Sequence, residues 1–160
     1  MLEKGQVSVY DFFFGFLIFM LLFVTLRFAW FENFNSGLES QKLGQMEFEA
    51  NRAADSMLRF SGTPQNWNAS NVQVIGLAKV GKGNVLDESK VSMFASLPYS
   101  QSRQLLKIDF NFLIELDSAN NSFDLNIGNS AVFPNVRVAS TQRIVSYKGV
   151  EAIVRIKVFE

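Results

Sequence analysis

Asp109, Glu115 and Asp117 stand on alternate positions of a period-two run, so a strand there carries three carboxylates on one face. Paired carboxylates can act as general acid and base in hydrolysis. The same alternation predicts a solvated sheet face, and that reading is favoured. Ser89 and Ser92 flank Lys90, the residue types of a Ser/Lys nucleophile, yet no neighbouring base marks either hydroxyl as activated. A helix with these residues facing out explains them better. Asp87-Glu88 reads as a surface turn or helix start. Gly81-Lys82-Gly83-Asn84 lacks the spacing and the closing Gly-Lys-Ser/Thr of a phosphate loop and reads as a turn. Asn68-Ala69-Ser70 and Asn120-Asn121-Ser122 are N-x-Ser triplets, so Asn68 and Asn120 are candidate glycosylation sites on any exported loop.

The chain has no cysteine and no histidine. That removes disulfides, thiolate nucleophiles, Ser-His triads and most zinc sites. The expectation is therefore no catalytic residue, no metal, no cofactor and no enzyme activity. Lys plus Arg and Asp plus Glu number 15 each, so the chain of 160 residues is formally neutral. Neutrality argues against nucleic acid as a partner and against a polybasic membrane-surface binder.

The strongest pattern is physical. Residues 12–26 (FFFGFLIFMLLFVTL) carry no charge, with Asp11 before them and Arg27 after them. With their apolar flanks they form a helix long enough to cross a bilayer, which takes about 20 residues. The run is longer than a conventional secretory h-region, and no small-residue cleavage site follows it. It should therefore stay in the mature protein as a single span, with the large C-terminal part exported. Phenylalanine is unusually frequent, seventeen in all, and Phe12, Phe13, Phe14, Phe16, Phe19 and Phe23 crowd this run. Large rings suit helix-against-helix packing through edge-to-face contacts, or plain lipid contact; composition leaves both open. Asp11 is the only side chain between Lys4 and Arg27 expected to be charged at neutral pH. A carboxylate at the end of a membrane helix wants a cationic partner or the headgroup boundary.

In front of the run stands Lys4-Gly5-Gln6-x-Ser8. Such a string followed closely by a hydrophobic helix resembles the class III signal peptide of archaeal type IV pilins and archaellins. The resemblance implies that a membrane peptidase cuts between Gly5 and Gln6, removing residues 1–5 as a leader. It further implies that the freed amine of Gln6 in one subunit pairs with an acid of a neighbour. Pilins usually carry that acid at the fifth mature position. Here that position is Tyr10, and the acid is Asp11, about 100° further round the helix. A second string, Ser61-Gly62-x-Pro64-x-Asn66-Trp67 followed by Val74-Ile75-Gly76-Leu77, resembles archaeal pilin-like heads. Together the two similarities touch about half of the chain. They imply a subunit that polymerises with itself or related pilins into an adhesive surface filament. They also imply a prepilin peptidase, an assembly ATPase and a membrane platform protein as partners. Three rival readings stand beside it: a minor pilin or pseudopilin of a filament or secretion machine, favoured by the shifted Asp11; a single-pass anchor presenting a β-rich binding domain; and an anchored hydrolase, which the absence of His and Cys disfavours.

The elements follow from periodicity. Leu43, Met46, Ala50, Ala53, Met57 and Phe60 are spaced three, four, three, four, three, an apolar stripe set among Lys42, Glu47, Glu49, Arg52, Asp55 and Arg59. Residues 32–60 are thus expected to continue the helix, with a kink or melted turn over 33–37, where propensity is poor. Gly62 and Pro64 stop it. Residues 62–68 read as a loop, with Trp67 folded back over the core. Beyond it, a strand is expected over 72–80 with a bend at Gly76, a short helix over 87–94 and a turn over 100–104. Strict alternation from Leu106 to Leu116, broken only at Leu113, predicts a half-buried strand. After a turn over 118–122, 123–127 is the return strand, and 136–147 with 150–159 form a hairpin across Lys148-Gly149. The expected fold class is α+β: a lollipop with a leader over 1–5 and a transmembrane or filament-core helix over 6–31. The amphipathic continuation over 32–60 then packs on a mainly antiparallel sheet in a head over 61–160.

Overall fold

The computed structural model describes the backbone of residues 3–118, 123–130 and 136–160, with side chains throughout except at 3–8 and 32–38. The expected turn after residue 118 falls largely outside the described residues. The chain divides into two compact units, Met1–Lys42 and Leu43–Glu160.

The first unit is helical. Helix α1 (Glu3–Arg59) starts here and supplies the opening of the second unit as well. Its backbone is helical through 33–37, so the expected melted turn is absent. Each poor helix former there costs at most about 1 kcal/mol, which good helix formers on both sides outweigh.

In the second unit, residues 43–59 of α1 bury Met46, Ala50, Ala53, Ala54, Met57 and Leu58. The two ends of the expected stripe do not take part. Phe60 lies past the end of the helix and is exposed, and Leu43 is also exposed. The carbonyls left open at the helix end are capped by the following chain, as Leu77 N–H donates to Met57 O at 2.7 Å and Ala78 N–H to Phe60 O at 3.1 Å. That is why the strand expected over 72–80 shrinks to β1 (Ala78–Lys79): its earlier residues bond the helix end and the loop instead. Trp67 folds back as expected. It is buried, and its Nε1–H donates to Gly76 O at 2.9 Å. Gly76 has to be glycine, because a Cβ there would sit 2.1 Å from Gly62 N and 2.5 Å from Phe60 O.

The turn expected over 81–84 is tighter and earlier. Val80 and Gly81 form it, and β2 (Lys82–Leu86) follows. Helix α2 (Glu88–Ser96) is capped by the Asp87 carboxylate, which accepts from Ser89 N and Lys90 N. Residues 100–104, expected as a turn, belong to helix α3 (Tyr99–Leu106). Pro98 presets its start, and Lys107 ends it in a left-handed conformation. Arg52 and Arg103 then hold the carbonyls that follow: Arg52 donates to Leu106 O and Lys107 O, and Arg103 to Ile108 O and Asp109 O. This clamp delays the long strand, so β3 runs Asn111–Ser118 rather than from Leu106.

Strands β4 (Asp124–Gly128), β5 (Val138–Tyr147) and β6 (Val150–Phe159) complete the sheet. The β5–β6 hairpin turns at Lys148-Gly149, both with positive φ (54° and 78°), as a two-residue turn demands. The six strands order as β1-β2-β5-β6-β3-β4. The sheet is mixed, because β2 runs parallel to β5 where Val85 faces Ser146, and it curls into a half-barrel. The other four strand pairings are antiparallel, as expected, and the β2–β5 pair is the exception. Two strands about fifty residues apart can be parallel only through a crossover, and alternation carries no sign of it. The fold is α+β. Phe112, Ile114, Leu116, Val154, Ile156 and Val158 share one core with the buried face of α1.

Candidate functional site

The N-terminal unit holds one helix segment, Val9–Phe31, long and apolar enough to cross a membrane, and none of it is buried within the chain. At about 1.5 Å per residue its 23 residues span about 35 Å, against about 30 Å of bilayer hydrocarbon. By length and composition such a helix fits a membrane anchor or a signal sequence.

Its surface is ordered by helical geometry. Phe12, Phe16, Phe19 and Phe23 are spaced four, three, four and lie along one face. Phe12 stacks on Phe16 with ring centroids 6.4 Å apart, and Phe19 on Phe23 at 6.2 Å. Phe13 leaves this stripe and meets Phe12 edge-on, while Phe14 points to the opposite side. All six rings are exposed. Covering each fully is worth about 1.5–3 kcal/mol, so the segment demands a partner, whether lipid or protein. Tyr10 and Trp30 stand near its two ends, both largely exposed. Asp11 is exposed close to the Tyr10 end. Gly15, one turn on, has open space beside it. Gly5 and Gln6 lie in the first turns of α1.

The other sequence candidates separate. Asn68 is exposed in the loop before β1, where its side-chain oxygen accepts from Ser70 N at 2.9 Å and Asn71 N at 3.2 Å. This folds the acceptor into a tight surface turn. Asn120 lies outside the described residues. Glu115 and Asp117 share the outer sheet face as expected, but Glu115 is largely covered there. Arg155 Nη1 lies 2.8 Å and Lys157 Nζ 2.5 Å from its carboxylate, and Arg155 reaches Asp117 at 3.6 Å. Burial pushes the Glu115 carboxyl up, but the hydrogen bonds and charges of Lys157 and Arg155 prevail and hold it below the ordinary 4.5. This is a cross-strand ion network and no acid–base pair. The unfolded chain, titrating near 4.5, binds the extra proton first, so the network's stabilisation is full above that pH and is lost as pH falls below it. Glu115→Gln should therefore cost about 1–2 kcal/mol at pH 7 and lose its effect towards pH 3, which chemical denaturation at both pH values would measure.

Two buried charges escaped the sequence pattern. Lys90, expected to face out, is only 6% exposed, and its ammonium donates to Ser61 O at 2.6 Å. Burial pushes that ammonium below its ordinary value, with Asp87 opposing. Glu49, on the polar side of the expected stripe, is buried and accepts Asp109 N–H at 3.0 Å. Both tie one element's backbone to another, a role that residue type alone does not signal. Ser89 and Ser92 are exposed, as expected. Among the described residues no three His, Cys, Asp or Glu side chains cluster to hold a metal. No family model, no curated protein and no solved structure matches the chain.

Proposed function

We propose that this chain is a structural subunit of an archaeal type IV pilus-like extracellular filament. The observation that carries the reading is Lys4-Gly5-Gln6-x-Ser8 set directly before a 23-residue apolar helix. The chain enters the membrane through that helix with its C-terminal unit outside. A prepilin-type peptidase cuts between Gly5 and Gln6, and an assembly ATPase and platform protein extract the subunit. In the filament, the rings of Phe12, Phe16, Phe19 and Phe23 exchange lipid for neighbouring helices. The contact is head-to-tail and does not close on itself, so it propagates as a helical polymer. Asp11, the lone acid within the apolar segment Val9–Phe31, meets the freed amine of a neighbour's Gln6, where low dielectric strengthens the pair. The role is mechanical and adhesive.

The displaced acid at Asp11 favours, as a second reading, a minor pilin or pseudopilin that primes or tips a filament. N-terminal sequencing of the membrane fraction tests the processing step. Chains that begin at Gln6 support it. Chains that all begin at Met1 contradict it and leave a permanent single-pass anchor with a β-rich binding domain.

A further inference from the structure

The sheet of the C-terminal unit carries two pairs of like charges set directly opposite one another across antiparallel strands. At one edge Lys79 of β1 faces Lys82 of β2, with Val80 in the turn between them. At the other edge Asp124 of β4 faces Asp117 of β3. Like charges in such positions repel and destabilise an isolated sheet. Among the described residues Lys79, Lys82 and Asp124 make no ion pair. Arg155 lies 3.6 Å from Asp117 but closer, at 2.8 Å, to Glu115, which also holds Lys157. Each like-charge pair stands beside exposed apolar side chains. Val80 and Phe60 are exposed at the basic edge, where the Phe60 carbonyl accepts the N–H of Ala78 next to Lys79. On the acidic side the register runs from Asp124 to Asp117, then to Ile153 and Ile144. Two carboxylates and two isoleucines thus form one row across the outer face, and Ile144 is 72% exposed.

We propose that these two edges dock the C-terminal units of neighbouring copies of this chain. Lys79 and Lys82 of one copy meet Asp117 and Asp124 of the next, and Val80 and Phe60 cover Ile144 and Ile153. The charges select this pairing. Each edge repels its own kind, so the basic edge accepts only the acidic one. Arg59 beside the basic edge is matched by Asp55 at 3.4 Å, which leaves the two lysines to set the sign there. Contact relieves the repulsion within both like-charge pairs and removes apolar surface from water. Strands β1 and β4 are opposite edges of one sheet, so each copy offers both surfaces and the contact runs head to tail without closing. The inference rests on the filament reading for its setting, copies held side by side, and adds a contact made by the C-terminal units.

The chain has no cysteine, which makes the test clean. Full-length Val80→Cys and Ile144→Cys chains are reconstituted in lipid vesicles, separately and mixed, oxidised mildly and run on non-reducing gels. The mixture should give disulfide-linked heterodimers, and each chain alone should stay monomeric. Adding Lys79→Glu and Lys82→Glu to the Val80→Cys chain should cut the linked fraction about tenfold or more. Adding Asp117→Lys and Asp124→Lys to its Ile144→Cys partner as well should restore it, which an unfolded variant could not do. A mixture that links no more than either chain alone, or linkage indifferent to the charge reversal, overturns the inference. The vesicles need no processing or assembly machinery. Heterodimers there, with every cellular chain beginning at Met1, support this contact and sink the filament reading. Filaments built from cut chains, with no such linkage, sink the contact and leave the filament standing.

Discussion

Gly5→Ile should leave the chain in the membrane with residues 1–5 still attached and no filament on the cell surface. A β-branched side chain beside the scissile bond displaces the Gly5–Gln6 peptide from any active site shaped for glycine. Misplacement by about 1 Å costs about a hundredfold in rate. The uncut precursor keeps its N-terminal amine at Met1, so the Gln6 amine that the proposed pairing with a neighbour's Asp11 needs is never freed. Both consequences are read together, the first by mass spectrometry of the membrane fraction and the second by electron microscopy of sheared cell-surface material. Full-length surface filaments in Gly5→Ile would contradict the processing step.

Gly76→Ala should unfold or severely loosen the C-terminal unit. The new methyl would lie 2.1 Å from Gly62 N and 2.5 Å from Phe60 O, both backbone atoms that cannot swing away. To make room, the chain entering β1 must leave the end of α1. That breaks the Leu77-to-Met57 and Ala78-to-Phe60 bonds and the buried Trp67-to-Gly76 bond. Overpacking plus lost buried hydrogen bonds amounts to about 3 kcal/mol or more, a fall in melting temperature of roughly 10 °C or more. Gly44→Ala is the control: nothing lies within 4 Å of its Cβ position, and alanine gains helix propensity of up to about 1 kcal/mol. Calorimetry that ranks Gly76→Ala level with Gly44→Ala would refute this account of the helix end.

The apolar helix and the β5–β6 hairpin were plain in the sequence because each repeats one period over many residues. The 3.6-residue stripe of Met46, Ala50, Ala53 and Met57 picked out the face that is buried. Alternation placed β3 but overran its start, because Arg52 and Arg103 clamp the carbonyls of 106–109 and keep that stretch out of the sheet. Side chains fifty residues apart in the chain make that clamp, so no local window holds it. Helix α3 was hidden for a different reason. YSQSRQLL has few apolar residues to set a period, and Pro98 and Lys107 define it only through backbone conformation. The parallel β2–β5 pair is long-range pairing, invisible to patterning within either strand. Of the candidate site, the aromatic stripe was legible because exposure and composition agree. Lys90 was not: a lysine beside an N-cap looks like a surface residue until the fold closes over it.

The central claim is that the aromatic face of α1 ends up against copies of itself. The chain has no cysteine, so a single Phe19→Cys places one unique thiol in the middle of that face. Mild oxidation of sheared surface material, followed by non-reducing electrophoresis, reads it directly. Disulfide-linked dimers in the sheared fraction, absent from a Gly5→Ile background, are the predicted result. A thiol that stays monomeric in the membrane fraction, with no sheared material to collect, would contradict it.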